Sequence, residues 1–379
     1  GFGCEQTDME DPTIDLNNTN KNFVSINLKN EEGMKFMKKL LADADIFVNN
    51  LRDKALNKMG LDYETLHKEF PTLIWAQMRG YGEYGPEKDS PGFDAVCWAA
   101  RGGVANVFRE DGESPAIAPQ AFGDYNVGHM LATGIVSALF NRTRTGKGEK
   151  VVTNLYAGAI WGGNIGICAT QFGAPYPKSR KHVPNPFNNT YRTYDDKWIY
   201  ICMPQYDKYY PMMMGLFGHE DQIENPDTNN LTSLKASGKN VEVIDWLEKA
   251  FAKKTFDEWM AIFKENEVPA QKCFRYTDVV KDEEAYDNDA LRMVEYEAYG
   301  KRALPMTPVR FGSYGDPPVV LSKPIGYHTA EFMHDYGYSD EEIAKIAEDG
   351  GVVVYDGPEI EDRIFVSKRQ AAGEAPCNW

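Results

Sequence analysis

The chain reads as an α/β protein, with a doubly wound parallel-sheet large domain and a smaller α+β domain after it. Three observations predict this. Short β-rich runs alternate with helical periodicities through residues 23–78, the pattern of parallel strands covered on both faces. Composition then shifts to Pro, Lys, Arg and Asn across residues 176–187. Beyond the shift, Asp195-Asp196-Lys197 between two strand-like runs is a hairpin signal, which belongs to a differently organised unit.

In order, residues 23–28 predict a strand and residues 31–41 a helix with apolar Met34, Phe36, Met37, Leu40 and Leu41. Residues 45–48 are strand-like, 56–59 and 63–70 helical, and 73–78 a strand. Gly80-Tyr81-Gly82-Glu83-Tyr84-Gly85 then has the form of the dinucleotide fingerprint, but Pro86 follows where a helix must open to receive a pyrophosphate. That excludes nicotinamide and flavin binding and leaves a glycine-shaped loop at the carboxyl end of a strand, where such sheets hold ligands. Pro91-Gly92-Phe93-Asp94 leads into an apolar segment, 95–100.

Residues 127–140 are all apolar or small apart from His129, Thr133 and Ser137, and predict a buried helix with Gly123-Asp124 just ahead of it. Asp124 has two readings. As a cap it would accept a first-turn N–H, worth about 0.5–2 kcal/mol. As an ionised nucleophile it would use the close approach that Gly123 permits and the free N–H groups of the helix start. A glycine-rich turn at 145–148, a strand at 150–153 and a glycine-spaced helix from Leu155 complete the large domain, residues 1–175. A linker is placed at 176–189, the small domain at 190–303, and a return segment that packs on the large domain at 304–379. Helices are expected at 241–252 and 256–265, a strand at 270–274, and core positions at Tyr209, Tyr210, Met212, Met213 and Met214. Ser339-Asp340-Glu341-Glu342 is a capping box that opens a last helix.

The 379 residues carry 57 acidic against 41 basic side chains, a formal charge of -16, which argues against nucleic-acid or anionic-membrane partners. No apolar run reaches the ~18 residues of a membrane span, and residues 1–16 are too polar for a signal peptide. Six cysteines and six histidines show neither paired nor ligand spacing. The expectation is a cytoplasmic, reduced protein with no metal.

These motifs in their order resemble the class III CoA-transferase family, which includes formyl-CoA transferase, carnitine CoA-transferase and the α-methylacyl-CoA racemases. The resemblance covers essentially the whole chain. It is carried by Asn20-Lys21, Asn50-Leu51-Arg52, Met59-Gly60-Leu61, Gly80-Tyr81-Gly82 with Gly85-Pro86, Pro91-Gly92-Phe93-Asp94, Gly123-Asp124, Thr145-Gly146-Lys147-Gly148 and Gly326-Tyr327-His328-Thr329. Within the family, Leu61-Asp62-Tyr63-Glu64-Thr65-Leu66, Ala100-Arg101-Gly102-Gly103-Val104, Asn185-Pro186-Phe187 and Cys202-Met203-Pro204 are similar to the 2-hydroxyacyl-CoA transferases.

The resemblance implies that Asp124 is the nucleophile, with Asp94 in support. It implies coenzyme A contacts at Ile26, Lys29, Asn50, Leu51, Arg52, Lys58, Met59, Pro91, Gly92 and Phe93. Each contact also has an ordinary alternative, as solvated charges at Lys29, Arg52 and Lys58 and as core at Leu51 and Met59, and Asp94 could simply cap the segment after it. The implied substrates are coenzyme A thioesters and a carboxylic acid, with no permanently bound cofactor, in an interlocked homodimer. The family opens with a strand–helix–strand unit of about 30 residues or more, and this chain is expected to begin past it; no glycine-rich lid like that of formyl-CoA transferase is found. Two alternatives stay open, a racemase that pairs an aspartate with a histidine such as His129, or a non-catalytic coenzyme A-binding subunit of a dehydratase assembly. His129 could equally be a satisfied core histidine.

Overall fold

The structure is a computed structural model, and it describes residues 10–312 and 315–374. Cys4 and Cys377 lie outside that range, and the four described cysteines are free. No helix among the described residues is long and apolar enough to cross a membrane.

At the centre of the N-terminal half is a three-stranded parallel sheet, Ile46–Asn49, Ile74–Arg79 and Lys150–Asn154, in that spatial order. Strand side chains alternate between faces. Trp75 and Val152 turn to one face, where they meet Leu41, Leu56 and Leu66 from the helices Glu31–Asp43, Asp53–Met59 and Tyr63–Glu69. Met78 and Val151 turn to the other, against the long helix Phe122–Thr145. There Met78 packs with Val127, and a Cβ on Gly134 would lie 2.7 Å from Val151 Cγ1. That helix runs antiparallel to the strands, since Gly128 lies by Met78 and the Arg142 guanidinium binds the Asp45 carboxylate at 2.6 Å. Its first turn therefore sits at the carboxyl edge of the sheet.

Two expectations are corrected here. The 23–28 run forms only the short strand Ser25–Ile26, which pairs antiparallel with Val352–Val353 and stays out of the parallel sheet. His328 and Thr329 tether the run: Phe23 N–H donates to His328 Nδ1 at 2.9 Å and Ser25 N–H to Thr329 Oγ1 at 3.0 Å. These contacts with distant sequence override local β-propensity. The second correction concerns the long helix, which begins at Phe122 instead of 127 and is not buried all round. Gly123, Val127, Leu131 and Ala138 are its buried positions, whereas Val136 and Phe140 are 64% and 60% exposed.

In the C-terminal half, Asn188–Arg192 and Trp198–Cys202 form the expected hairpin, with Ala270–Lys272 as a third antiparallel strand. Tyr210, Met213 and Met214 are fully buried in its core with Phe187, Tyr191 and Trp259, and Tyr209 and Met212 pack at its margin. The hairpin of Leu291–Tyr296 and Gly300–Pro305 instead packs with Leu16, Val319 and Phe365. Ser339 and Glu342 make the reciprocal bonds of a capping box ahead of Asp340–Glu348.

Candidate active site

The first turn of the long helix brings the two singled-out carboxylates together. Asp124 is the third helical residue. The residue before the helix is Ala121, in the left-handed region at φ 57°, and it has no side-chain oxygen to cap with. First-turn N–H groups have no partner inside a helix. The carboxylate of Asp94, from a different segment, lies close to those of Phe122, Gly123 and Asp124 without a hydrogen bond of normal geometry, and Phe122 N–H donates to the Pro119 carbonyl at 3.4 Å. Asp94 is only 8% exposed, and its sealed Oδ1 makes no direct hydrogen bond of normal geometry. Burial pushes its pKa above the ordinary carboxylate range and outweighs the opposing pull of the three N–H groups.

Gly123 makes this approach possible. A Cβ there would sit 2.1 Å from Asp94 Oδ1 and 2.3 Å from the Trp98 ring, and Trp98 also packs edge-on against Phe122 at 5.5 Å. Asp94 and Trp98 are positioned by the π-helical turn Ala95–Arg101; such turns are frequent at functional sites. The loop before the turn is braced from below, since Gly80 and Gly92 meet so closely that a Cβ on either would lie 2.7 Å from the other's Cα, beside Cys97 Sγ. Sequence reasoning missed this brace and Trp98. The signal available for the brace was the paired glycines at the two loop starts, and nothing local marks Trp98.

The Asp124 side chain is partly exposed, and its carboxylate accepts no hydrogen bond among the described residues. Its pKa is raised, by burial first and by the negative charge of Asp94 second. The capping reading of Asp124 therefore has no geometry behind it. The local alternative for Asp94 fails as well, because it makes no cap bond to the segment that follows it.

The other singled-out residues divide. Asn50, Leu51 and Arg52 leave the carboxyl end of Ile46–Asn49 at the same sheet edge, where Gln77 Nε2 donates to the Leu51 carbonyl at 2.7 Å. Leu51 is 39% exposed, so it is not core. Lys29 lies just before the Glu31–Asp43 helix, which enters the sheet from that edge. Lys29, Arg52 and Lys58 form no ion pair among the described residues. Pro91, Gly92 and Phe93 adjoin Asp94, with Phe93 76% exposed. Ile26 and Met59 are different: Ile26 packs on the Phe36 and Met333 cluster and Met59 on the leucine cluster, so the side chains of both are partly spent on packing. His129 is also placed differently from the core expectation. It is exposed, with Nδ1 2.9 Å from the Tyr125 carbonyl, and five residues on from Asp124 it is rotated roughly 140° around the helix.

Residues 2–329 match CoA-transferase family III, and the chain belongs to that family. It is a class III CoA-transferase. It is 39% identical to the cinnamoyl-CoA:phenyllactate CoA-transferase of Clostridium sporogenes, over 91% of this chain and 84% of that one. Identity to the (R)-2-hydroxy-4-methylpentanoate CoA-transferase of Clostridioides difficile is 38%, over 93% and 88%, and to the human α-methylacyl-CoA racemase 27%, over 87% and 84%. Among solved structures, a Mycobacterium tuberculosis protein superposes with a TM-score of 0.70 at 26% identity, covering 83% of this chain and 84% of that one.

Proposed function

We propose that the protein transfers coenzyme A from an acyl- or enoyl-CoA to an (R)-2-hydroxy acid of the phenyllactate or 2-hydroxyisocaproate type, with Asp124 as nucleophile. One observation carries this reading. The helix start at the carboxyl edge of the sheet has its N–H groups close to Asp94 and no capping side chain before it, and the Asp124 carboxylate is unbonded and reachable. The relatives that act on phenyllactate and on 2-hydroxy-4-methylpentanoate support the substrate class.

An ionised carboxylate needs no base to attack a thioester. An Asp124 oxygen bonds to the donor acyl carbon, and coenzyme A leaves as thiolate, which gives an acyl-aspartyl anhydride. The thiolate then attacks the aspartyl carbonyl and releases the donor acid as carboxylate. The acceptor carboxylate attacks the resulting aspartyl thioester, again expelling thiolate. That thiolate takes the acceptor acyl group from the second anhydride and frees Asp124. Each tetrahedral oxyanion needs donors, and one well-placed donor is worth about 2.7–4 kcal/mol. N–H groups of the glycine-containing loops are the candidates. Water must stay out while the anhydride exists.

Lys29, Arg52 and Lys58 would meet the phosphates, and Asn50, Leu51 and Pro91 to Phe93 the pantetheine arm, with Ile26 and Met59 contributing through backbone and partial side-chain contact. The exposed apolar side chains of Phe140, Trp161, Ile165 and Phe172 support an interlocked homodimer, because so much exposed apolar surface calls for a partner. We place the reaction in the cytoplasm, where the free cysteines and coenzyme A thioesters both belong.

Intact-protein mass measurement with an acyl-CoA and hydroxylamine tests the chemistry. A hydroxamate at Asp124 is the expected product, and absence of any adduct in an active preparation overturns the mechanism. A racemase would exchange the α-hydrogen of a 2-methylacyl-CoA in deuterated water with no acceptor acid present. The neighbour of Asp124 is a carboxylate and not a histidine, so no such exchange is expected.

A further inference from the structure

Asp124 lines neither of the two grooves of about 470 and 490 Å³ in this chain. The larger runs between segment 107–110 and the hairpin sheet of the C-terminal half. We propose that it is a second binding site, for a small monocarboxylate with an apolar side chain. Its volume lies in the ~300–1,000 Å³ range of small-molecule sites.

Three cations from separate positions line it, Arg109, Lys178 and Arg180. Arg180 is fixed: its guanidinium binds Glu248 at 2.7 Å and stacks over Trp198 at 4.9 Å, and its carbonyl accepts from Asn189 at 2.8 Å. The other two are unspent. Lys178 forms no ion pair among the described residues, and its ammonium lies 5.0 Å over the Tyr176 ring. Arg109 reaches the Glu113 carbonyl through Nη1, but its Nε is sealed from solvent with no hydrogen-bond partner. A carboxylate laid along the outer guanidinium edge would give Arg109 the charged acceptor it lacks.

The carboxylate lining the groove, Glu110, is occupied by the Ser179 hydroxyl and the Arg180 N–H. On a chain of net charge -16, the groove is thus locally positive. Two unspent cations suit a single carboxylate better than a polyphosphate. Phe108, 74% exposed, and Tyr200, 47% exposed, supply the apolar walls for the rest of the ligand. The site does not depend on the role given to Asp124.

The test is calorimetric titration of 3-phenylpropanoate into full-length Asp124→Asn protein without coenzyme. Saturable binding is expected, at least tenfold weaker in Arg109→Gln/Lys178→Gln, with no measurable binding of uncharged 3-phenylpropanol and no competition by inorganic phosphate. Lys178 is solvent-exposed, so Lys178→Glu alone leaves the fold intact and should weaken binding at least fivefold. No saturable binding, equal affinity in these variants, or displacement by phosphate overturns the proposal. The hydroxylamine adduct at Asp124 is scored separately and is unaffected by either result.

Discussion

Two carboxylates occupy the same position of two helices and meet opposite fates. Glu258 is the third residue of Phe256–Glu265, and Asp124 the third of Phe122–Thr145. Glu258 accepts from Thr255 N–H at 2.7 Å and from its hydroxyl at 2.9 Å, and these bonds hold its pKa below the usual value. Asp124 accepts nothing, and its pKa is raised by burial and by Asp94. The position on the helix is shared, so the difference lies in what precedes it. Thr255 closes a reciprocal cap with Glu258; Ala121 cannot, and Asp94 presents its charge to the N–H groups from another segment. A second acid alone does not free a first-turn carboxylate, since Asp195 accepts from Phe256 N–H at 2.8 Å while Glu258 stays capped; Asp124 is available because the residue before its helix cannot close a cap with it.

The sharpest way to break that contrast is to neutralise each acid. Asp124→Asn should cut transfer by about 10⁴-fold or more, as loss of a nucleophile does, yet melt at or above the parent temperature. Glu258→Gln should keep full transfer and melt lower. Parallel turnover assays and thermal melts check both, and an Asp124→Asn protein that still transfers at the parent rate sinks the nucleophile assignment. Gly123→Ala comes next. The added methyl meets Asp94 Oδ1 at 2.1 Å and the Trp98 ring at 2.3 Å, which should cost about 1–3 kcal/mol of stability in denaturant titration and lower transfer with it.

A smaller effect separates charge from shape. Asp94→Asn keeps an oxygen near the N–H groups but removes the negative neighbour of Asp124. Because Asp94 is the second cause of the raised Asp124 pKa and burial the first, the acid limb of kcat/KM should move to lower pH without reaching the value of a free carboxylate. The stability sign follows. Raised folded pKa values stabilise below the unfolded value near ~3.9, and that contribution is lost as pH rises through the folded values. The parent should therefore lose stability across that window, and Asp94→Asn should show a flatter profile in denaturation at several pH values. An unmoved acid limb would mean that Asp94 does not act on Asp124 through charge.

How much of the fold and site was legible in the sequence follows the range of the interactions. Thr255 to Glu258 and Ser339 to Glu342 are local, and their spacing alone names the caps. The parallel strands at 46–49, 74–79 and 150–154 and the 190–202 hairpin were legible for the same reason, since period and turn chemistry are local. The start of the long helix was not. Gly123 and Asp124 look like breakers and caps when their partner, Asp94, lies in another segment. The pairing of residues 25–26 with 352–353 was equally hidden, as it depends on His328 and Thr329 far along the chain. Asp124 itself was singled out through motif order across the family, because one Gly-Asp step has no distinguishing local chemistry.

The mildest change tests whether the contrast belongs to the caps at all. Thr255→Ala removes the hydroxyl that accepts from Glu258 N–H at 3.3 Å and donates to its carboxylate, and it makes this helix start resemble that of Ala121. Asp195, from the hairpin turn, accepts from Phe256 N–H at 2.8 Å, but nothing replaces the hydroxyl at Glu258 N–H, which turns to solvent, and the loss should be about 0.5–2 kcal/mol. Transfer should be unchanged, because Trp259 and Phe263 of this helix pack against Phe251 in the core of the C-terminal half, away from the sheet edge. Hydrogen exchange of the first-turn amides gives the finer reading. Fast exchange at Asp257 and Glu258 in the variant, beside slow exchange at Gly123 and Asp124 in the same molecule, would show that a remote carboxylate protects a helix start as well as a neighbouring hydroxyl. Equal, fast exchange at both starts would mean that Asp94 does not cap.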